Sequence, residues 1–112
     1  MVATAIRLSF PATKTDLGTD GTDAIHQLVQ GAPTGENTTY NVVAYAAATP
    51  NDPSAARRLS LSRALAVRAT LMADGVPSTR IYVRALGAQG GDGPADRADV
   101  SVLGSNAGSG RQ

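Results

Sequence analysis

The segment Pro53–Asp74 most constrains the fold, because it has the pattern of a helix whose two ends are both marked in the sequence. At its start, the carboxylate of Asp52 can accept a backbone N–H as an N-cap, and proline suits the first helical position. At its end, Gly75 suits the left-handed conformation that follows a last turn, and Pro77 cannot continue the helix. The sequence therefore predicts one long helix over this segment.

An arginine, Arg63, lies in the middle of the apolar side of this predicted helix. Spacings of three and four place six residues on that side and three more widen the arc: Leu59, Arg63, Ala66, Val67, Thr70 and Leu71, then Leu61, Leu65 and Met72. Because an unpaired buried charge is costly, this guanidinium must be paired inside the fold or reach a cleft at the helix edge. Two hypotheses stay open: an internal salt bridge to a carboxylate such as Asp23 or Asp99, or an arginine that binds a ligand.

Four strand patterns and one more helix pattern complete the chain. The strand patterns are Ala3–Phe10, Thr38–Ala47, Thr79–Leu86 and Arg97–Leu103, and the other helix pattern is Gly21–Gln30 with a possible cap at Thr19 or Thr22. The order β-α-β-α-β-β predicts an α/β two-layer sandwich, in which both helices pack on one face of a mixed sheet.

Length and composition indicate one small domain. The 112 residues suffice for a single core, which we expect over residues 1–103, whereas residues 104–112 have nothing to bury and are predicted to be a disordered tail. No apolar run is long enough to span a membrane, so we expect any signal or anchor to lie outside this chain. The net charge of +1, without aromatic residues among the basic ones, argues against nucleic-acid binding.

Residue types that carry catalysis are scarce in this chain. It has no cysteine, and its one histidine, His26, has no second ligand-type residue at metal-binding spacing. Ser60 and Ser62 lie within the long helix rather than on a strained turn, which makes them poor nucleophiles. The glycine-rich loop Gly87–Pro94 lacks the Gly-Lys-Ser/Thr ending of a phosphate loop. We therefore predict a non-catalytic domain with no metal site and no cofactor.

Two residue patterns are nevertheless specific. They are Leu59-Ser60-x-x-Arg63-Ala64-x-x-Val67 followed by Gly75-Val76 and a strand, and, upstream, Ile6-x-Leu8-x-Phe10-x-x-x-Lys14-x-x-Leu17. Together they resemble the C-terminal peptidoglycan-associated domain of the OmpA family, which Pal lipoproteins and MotB stator proteins share. The resemblance covers essentially Ala3–Leu103, and the β-α-β-α-β-β order is also that of the family.

The resemblance implies a domain of the cell envelope, in the periplasm of a Gram-negative bacterium, that binds the stem peptide of peptidoglycan. In such domains a helix arginine and an aspartate at the end of the second strand hold diaminopimelate. The end of that side chain is a zwitterion, so its carboxylate suits an arginine and its ammonium needs an acid. Arg63 occupies the arginine position.

The chain departs from the family at the acid. The family's Gly-His-Thr-Asp or Gly-Tyr-Ala-Asp segment aligns with residues 44–47, which places Ala47 where the aspartate stands. We therefore expect weakened peptidoglycan binding, with Asp52 either substituting for the acid or capping the helix. The ligand-binding residues implied are Arg63, Asp52, Thr49 and Ala47, with the loops Pro11–Thr13 and Thr49–Asp52 as the rim of the site.

A second interpretation keeps the fold without the ligand. In it the chain is a degenerate scaffold or an interaction module for other envelope proteins, and Arg63 is the partner in an internal ion pair.

Overall fold

The computed structural model describes residues 5–33, 37–48, 51–52, 54–89 and 93–104. Its elements are the strands β1 (Ala5–Ser9), β2 (Thr39–Ala44), β3 (Ile81–Ala85) and β4 (Arg97–Leu103), the helices α1 (Gly18–Gly31) and α2 (Ala55–Ala73), and a 3-10 turn at Ser78–Arg80. The predicted order β-α-β-α-β-β is confirmed.

The four strands form one mixed sheet in the order β1-β4-β2-β3. Because α2 crosses over between β2 and β3, these two strands run parallel, whereas β4 is antiparallel to both β1 and β2. One row of side chains crosses all four strands in register: Ile6, Val100, Val42 and Val83. The two central members of this row, Val42 and Val100, are fully buried, so the core lies beneath the middle of the sheet.

The inward face of α2 is narrower than the sequence predicted. Its buried residues are Ala56, Ser60, Arg63, Ala64, Val67 and Leu71. Leu61, Leu65 and Met72 were placed in the apolar arc, and this was wrong, because 45%, 45% and 43% of their surface is exposed. Within the described residues, α2 packs against one sheet and beside α1, so about one side of the helix is buried.

The start of α2 lies two residues later than predicted. The helix begins at Ala55 with Ser54 as its N-cap, while Pro53 lies outside the described residues. Asp52 is therefore not the N-cap. Its carboxylate nevertheless accepts the backbone N–H of Ser54, at 3.2 Å, so it still satisfies a donor just before the first turn.

The start of α1 also differs from the prediction. The helix begins at Gly18 after the N-cap residue Leu17, so neither Thr19 nor Thr22 is the cap. The hydroxyl of Thr22 instead donates to the carbonyl of Gly18, at 2.9 Å. This back-bonding is the common use of threonine inside a helix.

The C-terminus of α2 is a Schellman motif. Gly75 adopts φ +100°, and its N–H donates to the carbonyl of Met72 at 3.0 Å. The N–H of Val76 donates to the carbonyl of Leu71 at 3.1 Å, and both side chains enter the core. The predicted glycine stop is confirmed, since these two bonds satisfy carbonyls that the helix end leaves free.

Of the predicted strand limits, those of β4 are confirmed. β2 is shorter than predicted, and β3 begins two residues later than predicted because residues 78–80 form the 3-10 turn. Ala3 and, apart from Gly104, the predicted tail at 104–112 lie outside the described residues. Neither α-helix in the described part of the chain is long and apolar enough to cross a membrane.

Candidate functional site

The guanidinium of Arg63 is enclosed where loops from three parts of the chain meet. Its side chain is 0% exposed. Nε donates to the carbonyl of Lys14 at 2.8 Å, and Nη2 donates to the carbonyl of Pro11 at 3.1 Å. Nη1 donates to the carbonyl of Tyr45 at 3.0 Å and to Oδ1 of Asp96 at 2.8 Å. Four of the five N–H donors of the guanidinium are therefore used within the fold.

The carboxylate partner of Arg63 is neither of the two acids that the sequence suggested. Asp23 is exposed on α1, and Asp99 accepts from Arg7 at 2.9 Å and from Arg97 at 3.1 Å. Both suggestions are corrected to Asp96, which precedes β4. An internal ion pair is thus present, with a partner that the sequence did not indicate.

Asp96 has both a structural and a solvent-facing part. Its backbone carbonyl accepts the N–H of Phe10 at 3.0 Å, and its Oδ1 accepts the N–H of Ala47 at 3.2 Å as well as Nη1 of Arg63. The hydrogen bond from Arg63 holds the pKa of Asp96 below its ordinary value, against the opposing effect of burial, and the Ala47 N–H adds to the lowering. The side chain remains 24% exposed, so this ionised carboxylate reaches the surface.

The structure brings Arg63 and Ala47 together through this aspartate. Ala47 is exposed and follows β2, and it is the residue that the sequence resemblance aligns with the acid of the family. Since the backbone N–H of Ala47 contacts Oδ1 of Asp96, a carboxylate stands beside that position although the side chain there is a methyl group. Asp96 is the residue that sequence reasoning missed. The only signal in the sequence was that Asp96 comes directly before a predicted strand. That signal points to the site only when β4 is known to pair with β2.

Asp52 belongs to a different cluster of polar groups. Oδ2 of Asp52 accepts from Nη2 of Arg58 at 2.8 Å, and its Oδ1 accepts the N–H and the hydroxyl of Ser54 at 3.2 and 3.0 Å. These hydrogen bonds, that from Arg58 first, lower the pKa of Asp52. Thr49, the fourth predicted site residue, lies outside the described residues.

The loop before α1 forms the other side of the Arg63 enclosure. The carbonyl of Pro11 accepts from Arg63 and from the N–H of Lys14, which closes a turn at 3.0 Å. Thr13 within this turn adopts φ +64°, in the left-handed region that residues other than glycine rarely occupy. The Phe10 ring lies 4.9 Å from the Arg63 guanidinium, a cation–π contact. Arg63 therefore holds the predicted rim loop Pro11–Thr13 through its hydrogen bond to the carbonyl of Pro11.

A second buried polar residue of α2, Ser60, fixes the loop after β3. Its hydroxyl donates to the carbonyl of Arg57 at 2.9 Å and accepts the N–H of Gly87 at 3.0 Å. Gly87 adopts φ +59°, and its carbonyl accepts the N–H of Ala46 at 2.8 Å. The polar residues on the inward face of α2 thus hold the loops at one end of the sheet in place.

The described residues contain no group of three or more His, Cys, Asp or Glu side chains placed to hold a metal ion. His26 belongs to α1 and contacts the C-terminal end of α2, away from Arg63. Its Nδ1 lies 3.3 Å from Oδ1 of Asp74, the C-cap of α2.

A cavity of about 220 Å³ lies at this C-terminal end of α2, away from Arg63. Its lining includes Thr38 and Asp74, whose Oγ1 and Oδ2 find no hydrogen-bond partner in the described residues. Both atoms are nearly closed to solvent, so the cavity does not present them to a ligand.

With this geometry established, the comparisons identify the class of protein. The model of the OmpA family matches residues 9–101, and the chain belongs to that family. No curated protein sequence matches this chain significantly.

Solved structures show the same architecture. The OmpA-like domain of FopA1 from Francisella tularensis is 23% identical over 88% of this chain and 70% of that one, with a TM-score of 0.71. The C-terminal domain of Helicobacter pylori MotB (its residues 125–256) is 18% identical over 89% of this chain and 86% of that one, with a TM-score of 0.73. At these identities the likeness establishes the shared fold.

Proposed function

We propose that this chain is a non-catalytic domain of the cell envelope that contacts peptidoglycan through its stem peptide, in the periplasm of a Gram-negative bacterium. Membership of the OmpA family supports this proposal. The observation that carries it is the ionised, partly exposed carboxylate of Asp96, which lies against Arg63 and beside Ala47. A zwitterionic amino-acid end is complementary to such a pair of opposite charges.

Four residues have proposed roles at this surface. Arg63 receives the carboxylate of the stem peptide through the N–H that the fold leaves unused, and this requires the enclosing carbonyls to move. Ala47 contacts the ligand, and Asp52 contributes to the rim of the site. The rim role of Thr49 comes from the sequence resemblance alone. The proposal implies weak binding, because the enclosing carbonyls must move and because Ala47 supplies no acid.

The second candidate function, a scaffold or a module that binds other envelope proteins without binding peptidoglycan, is favoured by a different observation. Arg63 has no exposed surface and already donates four hydrogen bonds within the fold. In this alternative the arginine serves only the architecture.

Co-sedimentation with purified peptidoglycan sacculi tests the first candidate against the second. The unmodified domain should enter the pellet, and Ala47→Trp should abolish this by filling the contact surface. Ala73→Trp is the matched control, because Ala73 is also exposed but lies at the opposite end of α2. Absence of the unmodified domain from the pellet would favour the scaffold.

A further inference from the structure

The two carboxylate oxygens of Asp96 have different surroundings. Oδ1 accepts from both Nη1 of Arg63 and the N–H of Ala47, so the fold fixes this oxygen. Oδ2 accepts no hydrogen bond from any residue in the described ranges, and it is not among the buried unpartnered atoms. Asp96 therefore has one oxygen held by the fold and one that faces solvent.

The fold holds both the backbone and the side chain of Asp96 in position. Its backbone carbonyl is bound by the N–H of Phe10, and the enclosed Arg63 holds its side chain from behind. A carboxylate that is already positioned loses little side-chain freedom when a ligand donates to it. An acceptor of this kind, ionised and open on one side, is suited to a cationic donor.

Strand pairing explains why Asp96 lies beside position 47, which follows β2. Ala44, the last residue of β2, pairs with Ala98, and the N–H of Tyr45 donates to the carbonyl of Arg97 at 2.8 Å. The chain that enters β4 therefore runs beside the chain that leaves β2. An acid at position 96 and one at position 47 can point to the same place.

We infer that Asp96 is the residue that selects ligands carrying an ammonium group at this site, in place of the acid that Ala47 lacks. The inference rests on the proposed function, because it names which group of the stem peptide is recognised and by which atom, Oδ2. In this arrangement Arg63 also acts as a positioning residue, because it holds the carboxylate of Asp96 through Oδ1. Asp52, the substitute suggested by the sequence, stays with Arg58.

Titration with two peptides tests the inference. The probes are a stem tripeptide ending in diaminopimelate and the same tripeptide acetylated on its side-chain amine. Loss of a charge-assisted hydrogen bond should weaken binding of the acetylated probe by about tenfold to a hundredfold. Asp96→Asn, which keeps the shape and an oxygen acceptor for Arg63, should bind both probes equally. Ala47→Asp added to that variant should restore the preference.

Asp16→Asn is the matched control, because it removes an exposed acid that has no role in the proposed site, and it should keep the preference for the free amine. The inference is overturned if Asp52→Asn loses the preference while Asp96→Asn keeps it, or if the unmodified domain binds both probes equally. Either result leaves the proposed function standing when the domain still sediments with sacculi.

A measurement on the unmodified domain avoids dependence on how well the variants fold. The carboxyl ¹³C NMR signal of Asp96 should shift when the free-amine probe is added and stay in place with the acetylated probe. Equal shifts with both probes would identify Asp96 as an internal counter-ion of Arg63 alone.

Discussion

Nη1 of Arg63 lies 2.8 Å from Oδ1 of Asp96, although 33 positions separate the two residues along the chain. The arginine projects from α2, and the aspartate stands at the entrance to β4. The same guanidinium also holds carbonyls of the loop after β1 and of the chain leaving β2. This ion pair therefore joins the helix layer to three segments at one end of the sheet.

Replacing Arg63 by alanine should destabilise the domain by about 3–5 kcal/mol, because it leaves a carboxylate and three carbonyls without their donor. Arg63→Lys should recover only part of this loss, since an ammonium cannot reproduce the planar fork. Arg57→Ala, an exposed position on the same helix, should stay within about 0.5 kcal/mol. Urea denaturation measures all three. A loss below about 1 kcal/mol for Arg63→Ala would instead indicate an arginine at the edge of a cleft.

Stability should fall in acid through the titration of Asp96. Its pKa is lower in the folded state than the ordinary value of 3.8 that applies when the chain is unfolded, so the unfolded state binds more protons in that range. The stabilisation is therefore fully present above the unfolded value and is lost as pH falls through the folded one. Free energies of unfolding measured between about pH 6 and pH 2 should decline less steeply in Asp96→Asn. Identical slopes would show that the pair contributes no acid dependence.

Ser60→Ala should cost about 1–3 kcal/mol, because the N–H of Gly87 loses its acceptor in a buried place. Ser62→Ala provides the comparison, since Ser62 is exposed two positions along the same helix and should change stability by less than about 0.5 kcal/mol. Hydrogen exchange at the Gly87 amide should quicken in the first variant only. Unchanged protection at that amide would contradict the proposed anchoring of the loop.

Gly75→Ala should destabilise the domain by about 1–2 kcal/mol through backbone strain alone, because a side chain at this φ of +100° would meet no atom within 4 Å. Gly75→Asn should lose less, as asparagine tolerates the left-handed region better. Thermal denaturation of both variants separates strain from packing. Equal losses for alanine and asparagine would point to a steric cause.

The element order was predictable because hydrophobic periodicity and end signals are local properties. Gly75 illustrates this, since the stop it marks depends only on the last turn of the helix. The exposure of Leu61 and Leu65 was not predictable in the same way, because the width of a buried helix face depends on what covers it. Within the described residues, α2 packs against one sheet and beside α1.

In the candidate site, too, local features were predictable from the sequence and contacts between distant segments were not. Arg63 was predictable as a buried charge in need of a partner, because its position follows from helical spacing alone. Its partner Asp96 was not, since that contact depends on β4 lying beside β2, and element order does not specify which strands are neighbours. Asp52 was predicted to be the N-cap, which was wrong because Ser54 holds that position; its carboxylate accepts the N–H of Ser54 instead, and its pairing with Arg58 was not foreseen.

The position of β4 within the sheet also governs how the chain can fold. β4 is the last strand in chain order, yet it lies between β1 and β2, and it is the only strand that pairs with β1 in the described residues. A nascent chain that has not yet released Arg97–Leu103 from the ribosome leaves β1 without a partner and the inner edge of β2 unpaired. Contacts between distant parts of a chain form slowly, because the entropy cost of closing the loop comes before the contacts can stabilise the fold. Assembly of this sheet therefore waits until β4 has been synthesised, and until then the exposed strand edges need protection from aggregation.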